Sequence, residues 1–169
     1  YLSLQAQDNY MMTTTTWWLK TQTTENWAYV DHVFTAEECQ QIIKAQTVTS
    51  AAMISGERLD KSYRHSQIAW LESSDTRWSW VFQRLTDVTQ HINQQFWQFD
   101  LSYIESLQYT EYHSPGGHYD LHIDQMNSGI HNRKLSFTVQ LTAPEEYQGG
   151  DLEFVTGVTG DTARRDQGT

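Results

Sequence analysis

His118, Asp120, His122 and Asp124 alternate along one short stretch, with Tyr119, Leu121 and Ile123 between them. Side chains at i and i+2 of an extended strand project from the same face. The stretch would therefore align two imidazoles and two carboxylates. Four ionisable groups turned toward a protein interior are costly without a partner, and a divalent cation is the economical partner for imidazole plus carboxylate. His122 with Asp124 has the residue types and spacing of two ligands of a facial iron triad, and His118 with Asp120 has the same spacing. A His-x-Asp motif also arises by chance. Taken alone, it reads more simply as an exposed edge carrying four solvated polar groups.

A second stretch with chemical content follows at Lys134–Leu141. Leu135, Phe137, Val139 and Leu141 would form one face of a strand, and Lys134, Ser136, Thr138 and Gln140 the other. Hydroxyls and an amide in a row suit the lining of a pocket for a small dicarboxylate. They suit the wet face of an amphipathic strand nearly as well.

The elements that must hold these residues are legible around them. Thr35 to Glu38 has the form of a capping box, with Phe34 placed to staple onto Cys39, and a helix is predicted from there to about Gln46. Cys39 on it reads as a small buried hydrophobe. Ser66–Leu71 is a predicted strand. A second helix is predicted from near Asp75, because Trp78, Phe82, Leu85, Val88, Ile92 and Phe96 recur at three- and four-residue spacing. Beyond Leu101 the pattern changes to short strands: Ser106–Tyr112, His118–Asp124, Lys134–Leu141 and Asp151–Phe154. Ser114-Pro115-Gly116-Gly117 reads as the turn before the second of these. Helices followed by a run of strands give an α+β class.

A chain of 169 residues with seven Trp, nine Tyr and six Phe can bury a real core in one domain. The net charge of −10, with only Arg133 and Lys134 between Arg84 and Arg164, argues against a nucleic-acid partner. No apolar run approaches membrane-spanning length. Cys39 is the only cysteine, so no intrachain disulfide can form. A soluble chain in a reducing, cytoplasmic setting is expected. Residues 1–16 are expected to be a leader or added segment, with Met11 and Met12 as possible translation starts. Residues 17–169 are expected to form a single domain.

From about Asn26 onward the chain resembles the prolyl-4-hydroxylase-like branch of the Fe(II)/2-oxoglutarate-dependent dioxygenases. The matching residues are Gln108-Tyr109 and Tyr112, Tyr119-x-x-His122-x-Asp124, Arg133–Leu141 and Tyr147-Gln-Gly-Gly-Asp-Leu-Glu-Phe154. The helix start at Phe34–Cys39, Arg64 and the Trp78–Asn93 helix are also similar. The resemblance implies a double-stranded β-helix (jelly-roll) core buttressed by N-terminal helices. Its tyrosine three residues before the ligand histidine selects His122 and Asp124 over His118 and Asp120. His118, Tyr119 and Asp120 then become substrate-side candidates. It implies Tyr112 at the cosubstrate, with Tyr109 as runner-up, and Thr138 and Gln140 as cosubstrate neighbours. It further implies Fe(II) as cofactor, with 2-oxoglutarate and O2 as cosubstrates. The implied activity is hydroxylation of prolyl groups in a peptide or protein, with 2-oxoglutarate leaving as succinate and CO2.

In these relatives a distal histidine and a basic residue for the far carboxylate of 2-oxoglutarate follow the Gly-Gly-Asp-Leu-Glu-Phe segment, and here neither follows it. The sequence is therefore expected to be a fragment whose distal strands lie elsewhere. A partner chain completing the barrel, or a decayed site, are the alternatives. His131, Arg133 and Lys134 are weaker substitutes. The competing functional readings are a non-catalytic jelly-roll module that binds a peptide, and a cupin-like metal enzyme that does not use 2-oxoglutarate.

Overall fold

The computed structural model describes residues 26–46, 50–51, 62–124, 133–155 and 160–169. The expected leader at 1–16, residues 52–61, and residues 125–132 with His131 lie outside the described residues.

Helix α1 spans Ala36–Ala45 and begins as its sequence dictates. The Thr35 hydroxyl accepts from the Glu38 amide at 3.2 Å, and the Glu38 carboxylate accepts from the Thr35 amide at 2.9 Å. Two otherwise unsatisfied amide donors are thereby met at one end. Phe34 and Cys39 are both buried in the same cluster. Burial pushes the Cys39 thiol up from its ordinary value, which leaves it unreactive.

A 3-10 turn at Thr76–Trp78, capped by Asp75, leads into α2 at Ser79–Phe96. Its inward face is Val81, Phe82 and Leu85, continued from Trp78. The lower half of the anticipated stripe is less covered, and Phe96 is exposed. At the end of α2 the buried Asn93 side chain exchanges two hydrogen bonds with the Phe99 backbone, at 2.8 and 2.9 Å. Arg84 ties the helices together. It donates to Glu38 at 2.5 Å and to the Val33 carbonyl at 3.2 Å, with its guanidinium over the rings of Phe34 and Trp80.

The main sheet has the order β1 (Ser50–Ala51), β3 (Gln67–Leu71), β4 (Leu107–Glu111), all antiparallel. β3 and β4 run paired from Gln67 opposite Glu111 to Leu71 opposite Leu107. Leu71 and Tyr109 point into the helices and close the core with Phe34, Ile42, Trp78, Val81, Phe82 and Leu85. Fully burying a side chain of this size contributes about 1.5–3 kcal/mol. The helix pair and this sheet form an α+β unit, as anticipated.

Two smaller pairs complete the strands. β2 (Arg64–His65) pairs antiparallel with β5 (His118–Tyr119), and β6 (Glu153–Val155) with β7 (Gly160–Thr162). Among the described residues the sheets remain separate and none closes into a barrel. No described helix is long and apolar enough to cross a membrane.

Two anticipated strands differ from expectation. The strand expected over His118–Asp124 ends at Tyr119, and the chain bends at Leu121. The stretch Lys134–Leu141 joins no ladder. Val139 and Leu141 still pack on the core, while Phe137 is exposed, so the alternation survives only at its C-terminal end. The turn Asp166–Thr169 takes the place of a neighbouring strand. Gly168 donates to the Gln140 carbonyl at 2.7 Å, Gln140 donates to the Thr169 carbonyl at 3.0 Å, and Phe34 donates to the Gly168 carbonyl at 3.2 Å. This three-way junction joins the start of α1, the 133–141 segment and residues 166–169.

Candidate metal centre

The site is built where the β2–β5 pair ends. Arg64 stands opposite Tyr119 and His65 opposite His118, and the Asp120 amide continues the pairing by donating to the Tyr63 carbonyl at 2.9 Å. Before it, the Ser114–Gly117 turn is closed by the Gly117 amide donating to the His113 carbonyl at 2.9 Å. A Cβ on Gly117 would lie 2.7 Å from both the amide nitrogen and the carbonyl oxygen of His113, so only glycine fits. This close approach returns the chain at the right place to enter β5.

After Tyr119 the chain leaves the ladder, yet His122 and Asp124 still meet. His122 Nε2 lies 3.2 Å from Asp124 Oδ1. Two donors held about 2.1 Å from one first-row metal at a right angle stand about 3.0 Å apart, so this spacing suits adjacent ligands. His122 Nδ1 lies 2.7 Å from the Asp120 carbonyl oxygen. A carbonyl can only accept, so Nδ1 carries the proton and Nε2 is the nitrogen left to face the carboxylate. A lone pair beside a carboxylate calls for a cation between them, either a proton or a metal ion. A backbone acceptor on the far nitrogen is the usual way a ligating imidazole is fixed. The His122 side chain is 29% exposed and that of Asp124 53%, which leaves one side of the pair open to incoming ligands.

The other three polar groups of the stretch behave differently. Both ring nitrogens of His118 face carbonyl oxygens, Gly116 at 2.8 Å and Ser62 at 3.1 Å. These two acceptors raise its pKa, since only the imidazolium can donate to both. His118 is thereby turned away from His122 and serves the turn. Asp120 contributes its carbonyl to His122, and its side chain is exposed. Tyr119 lies flat on the His122 ring, with centroids 3.6 Å apart and planes 19° apart.

Behind Tyr119 sits Arg64, only 8% exposed. Its Nε donates to Ser66 Oγ at 3.0 Å, one Nη donates to Gln108 Oε1 at 2.6 Å, and its guanidinium carbon is 4.3 Å from the Tyr119 ring centre. Tyr112 belongs to this cluster. Its side chain is half exposed; partial burial raises its phenol, and the Arg64 charge opposes that rise. Tyr109 faces the other way. It is buried in the core with its hydroxyl donating to Glu111 at 2.9 Å, and burial raises its pKa strongly. Of the two tyrosines weighed for the cosubstrate, Tyr112 is the one beside Arg64 and Tyr119.

Thr138 is exposed, and Gln140 donates from its side chain to the Tyr147 hydroxyl at 2.8 Å. Arg133 is committed to Glu105 through two hydrogen bonds of 2.8 and 2.6 Å, and it also donates to the Asp124 carbonyl at 3.3 Å. It holds the metal-site segment instead of presenting a free cation. Among the described residues no three His, Cys, Asp or Glu side chains gather to hold one ion. His65 is directed at the Gly116 carbonyl, His91 at Gln95 and His113 at Glu111. The pair His122–Asp124 fits two positions of a metal site, and the described residues supply no third.

Sequence reasoning had not assigned roles to Tyr63, Ser66 or Glu105, and knew Arg64 only through a resemblance. Their signal is positional. Arg64 gains its role by standing across the ladder from Tyr119, which no local pattern announces.

Residues 107–167, which run from β4 through the whole His122–Asp124 segment, match the 2OG-Fe(II) oxygenase superfamily. The match supports a general oxygenase function, with Fe(II), 2-oxoglutarate and O2 as the groups that family implies. No curated protein and no solved structure matches the chain.

Proposed function

We propose that this chain carries part of the active site of an Fe(II)- and 2-oxoglutarate-dependent hydroxylase of the prolyl-4-hydroxylase type, acting on prolyl groups in a peptide or protein. The observation that carries the reading is the His122–Asp124 pair. Its donors are spaced for one ion and its imidazole is fixed by a backbone carbonyl, inside the segment that matches the superfamily. Held there, Fe(II) would supply the activation of O2 against 2-oxoglutarate, the chemistry by which one oxygen atom goes to a substrate C–H bond and the other to succinate, with CO2 released.

The residues of the chain have simpler tasks. His122 offers Nε2 and Asp124 a carboxylate oxygen, and both face the side open to solvent. Tyr112 is the cosubstrate-side phenol in this reading, and Thr138 and Gln140 are its cosubstrate neighbours. The exposed carboxylate of Asp120 lies on the approach for substrate. A reducing, cytoplasmic setting suits an enzyme that needs ferrous iron and has one buried thiol.

Anaerobic titration with Fe(II) and 2-oxoglutarate tests the reading. A visible charge-transfer band that needs both additions, and is lost in His122→Ala, is the expected result. A folded chain that gives no band refutes it and favours a peptide-binding module. A metal that binds without regard to 2-oxoglutarate favours a cupin-like enzyme.

A further inference from the structure

Resting on the oxygenase reading, we propose that Arg64 and Tyr119 are positioning residues for His122, forming a guanidinium–phenol–imidazole stack that fixes the plane of the metal-binding ring. Three facts lead there. The stretch carrying His122 and Asp124 lies past the end of β5, so no ladder holds it. Its apolar members give no anchorage either, with Leu121 67% and Ile123 82% exposed. Yet the His122 ring lies 3.6 Å from the Tyr119 centroid, with the two planes 19° apart.

The stack is anchored from below. Tyr119 belongs to β5 and stands across from Arg64 in β2, so backbone pairing brings the guanidinium over the phenol ring. The Tyr119 ring centre has the Arg64 guanidinium carbon 4.3 Å away and the His122 ring centre 3.6 Å away. Tyr63 meets its edge, with centroids 5.7 Å apart at 86°. Arg64 is itself held by Ser66 and Gln108. Cation–π attraction and ring stacking both favour this order.

The two constraints on His122 are complementary. Stacking sets the plane of the imidazole, and the Nδ1–H bond to the Asp120 carbonyl sets its rotation within that plane. Together they leave Nε2 directed at Asp124. Pre-setting a ligand in this way spares the ion the work of ordering it.

The test is Co(II) binding to the whole chain, followed by its visible d–d spectrum. Tyr119→Phe keeps the stack and should bind within about two-fold of the unaltered chain. Tyr119→Leu should weaken binding by about 10-fold or more, in the range seen when groups supporting a ligand are removed. Its residual complex should show shifted d–d bands, a change in ligand geometry that lost stability alone does not produce. If the unaltered chain binds Co(II) and Tyr119→Leu binds equally with the same spectrum, the stack has no positioning role and the oxygenase reading survives. If the folded, unaltered chain binds no Co(II), the metal-site reading itself fails. Should Tyr119→Leu not fold, proton NMR of the unaltered chain decides. Ring-current shifts must place the carbon-bound protons of His122 upfield of those of the other histidines, and unshifted resonances overturn the proposal.

Discussion

Replacing Gly168 by alanine should loosen the junction that seats the 133–141 segment against α1. Gly168 has φ +79°, and a Cβ there would stand 1.9 Å from the Phe34 carbonyl oxygen and 2.9 Å from its carbon. The left-handed backbone costs an alanine about 1 kcal/mol. The Cβ meets backbone atoms of Phe34, so the clash cannot be relieved by turning a side chain. The turn must retract, and two hydrogen bonds go with it: Phe34 to the Gly168 carbonyl at 3.2 Å and Gly168 to the Gln140 carbonyl at 2.7 Å. At about 1 kcal/mol each, the total loss is about 3 kcal/mol. A domain of this size has roughly 5–15 kcal/mol in hand, so the variant should fold but melt early. Urea unfolding of the two proteins measures the difference. Hydrogen exchange locates it, with the Phe34 and Gly168 amides losing protection while the α2 amides change only with global stability. An unchanged urea midpoint at equal slope, or a loss spread evenly over all amides, refutes the reasoning.

The His118 tie should weaken in alkali. Its folded pKa lies above 6.5, so the stability it contributes is complete below that value and disappears as pH rises through the folded value. Amide exchange at Asp120, corrected for intrinsic pH dependence, should speed up across that window in the unaltered chain but not in His118→Gln; a parallel profile in both removes the role. The two tyrosines of β4 and its end should separate cleanly. Tyr112→Phe should raise the 2-oxoglutarate needed for the charge-transfer band by about 10-fold with little loss of stability, as for a hydrogen bond to a charged group. Tyr109→Phe, which forfeits the bond to Glu111, should lower stability by about 1 kcal/mol and leave the titration unchanged. The reverse pattern would make Tyr109 the cosubstrate neighbour.

The local rules of the chain were enough for much of this molecule. The capping box at Thr35–Glu38, the apolar spacing from Trp78 to Leu85 and the Ser114–Gly117 turn depend on neighbours in sequence, and all three were legible there. His122 and Asp124 carry in the sequence the residue types and spacing for a shared ion, and the fold sets their side chains 3.2 Å apart. Non-local pairing decided the rest. The register of β2 on β5 placed Arg64 over Tyr119, and the alternation of β4 became a choice of faces only once β3 lay beside it. His118 and Asp120 had the same spacing as the pair that met. What separated them was the pair of carbonyls, Gly116 and Ser62, that captured the His118 ring. Likewise Arg133 reads as a free cation in the sequence and became half of an ion pair only when the fold brought Glu105 to it. Residue types and short spacings set which groups could bind a metal. Which of them remain available is set by the acceptors that distant parts of the chain bring alongside, because a buried or bent backbone must satisfy its carbonyls and amides with whatever donors and acceptors stand nearest.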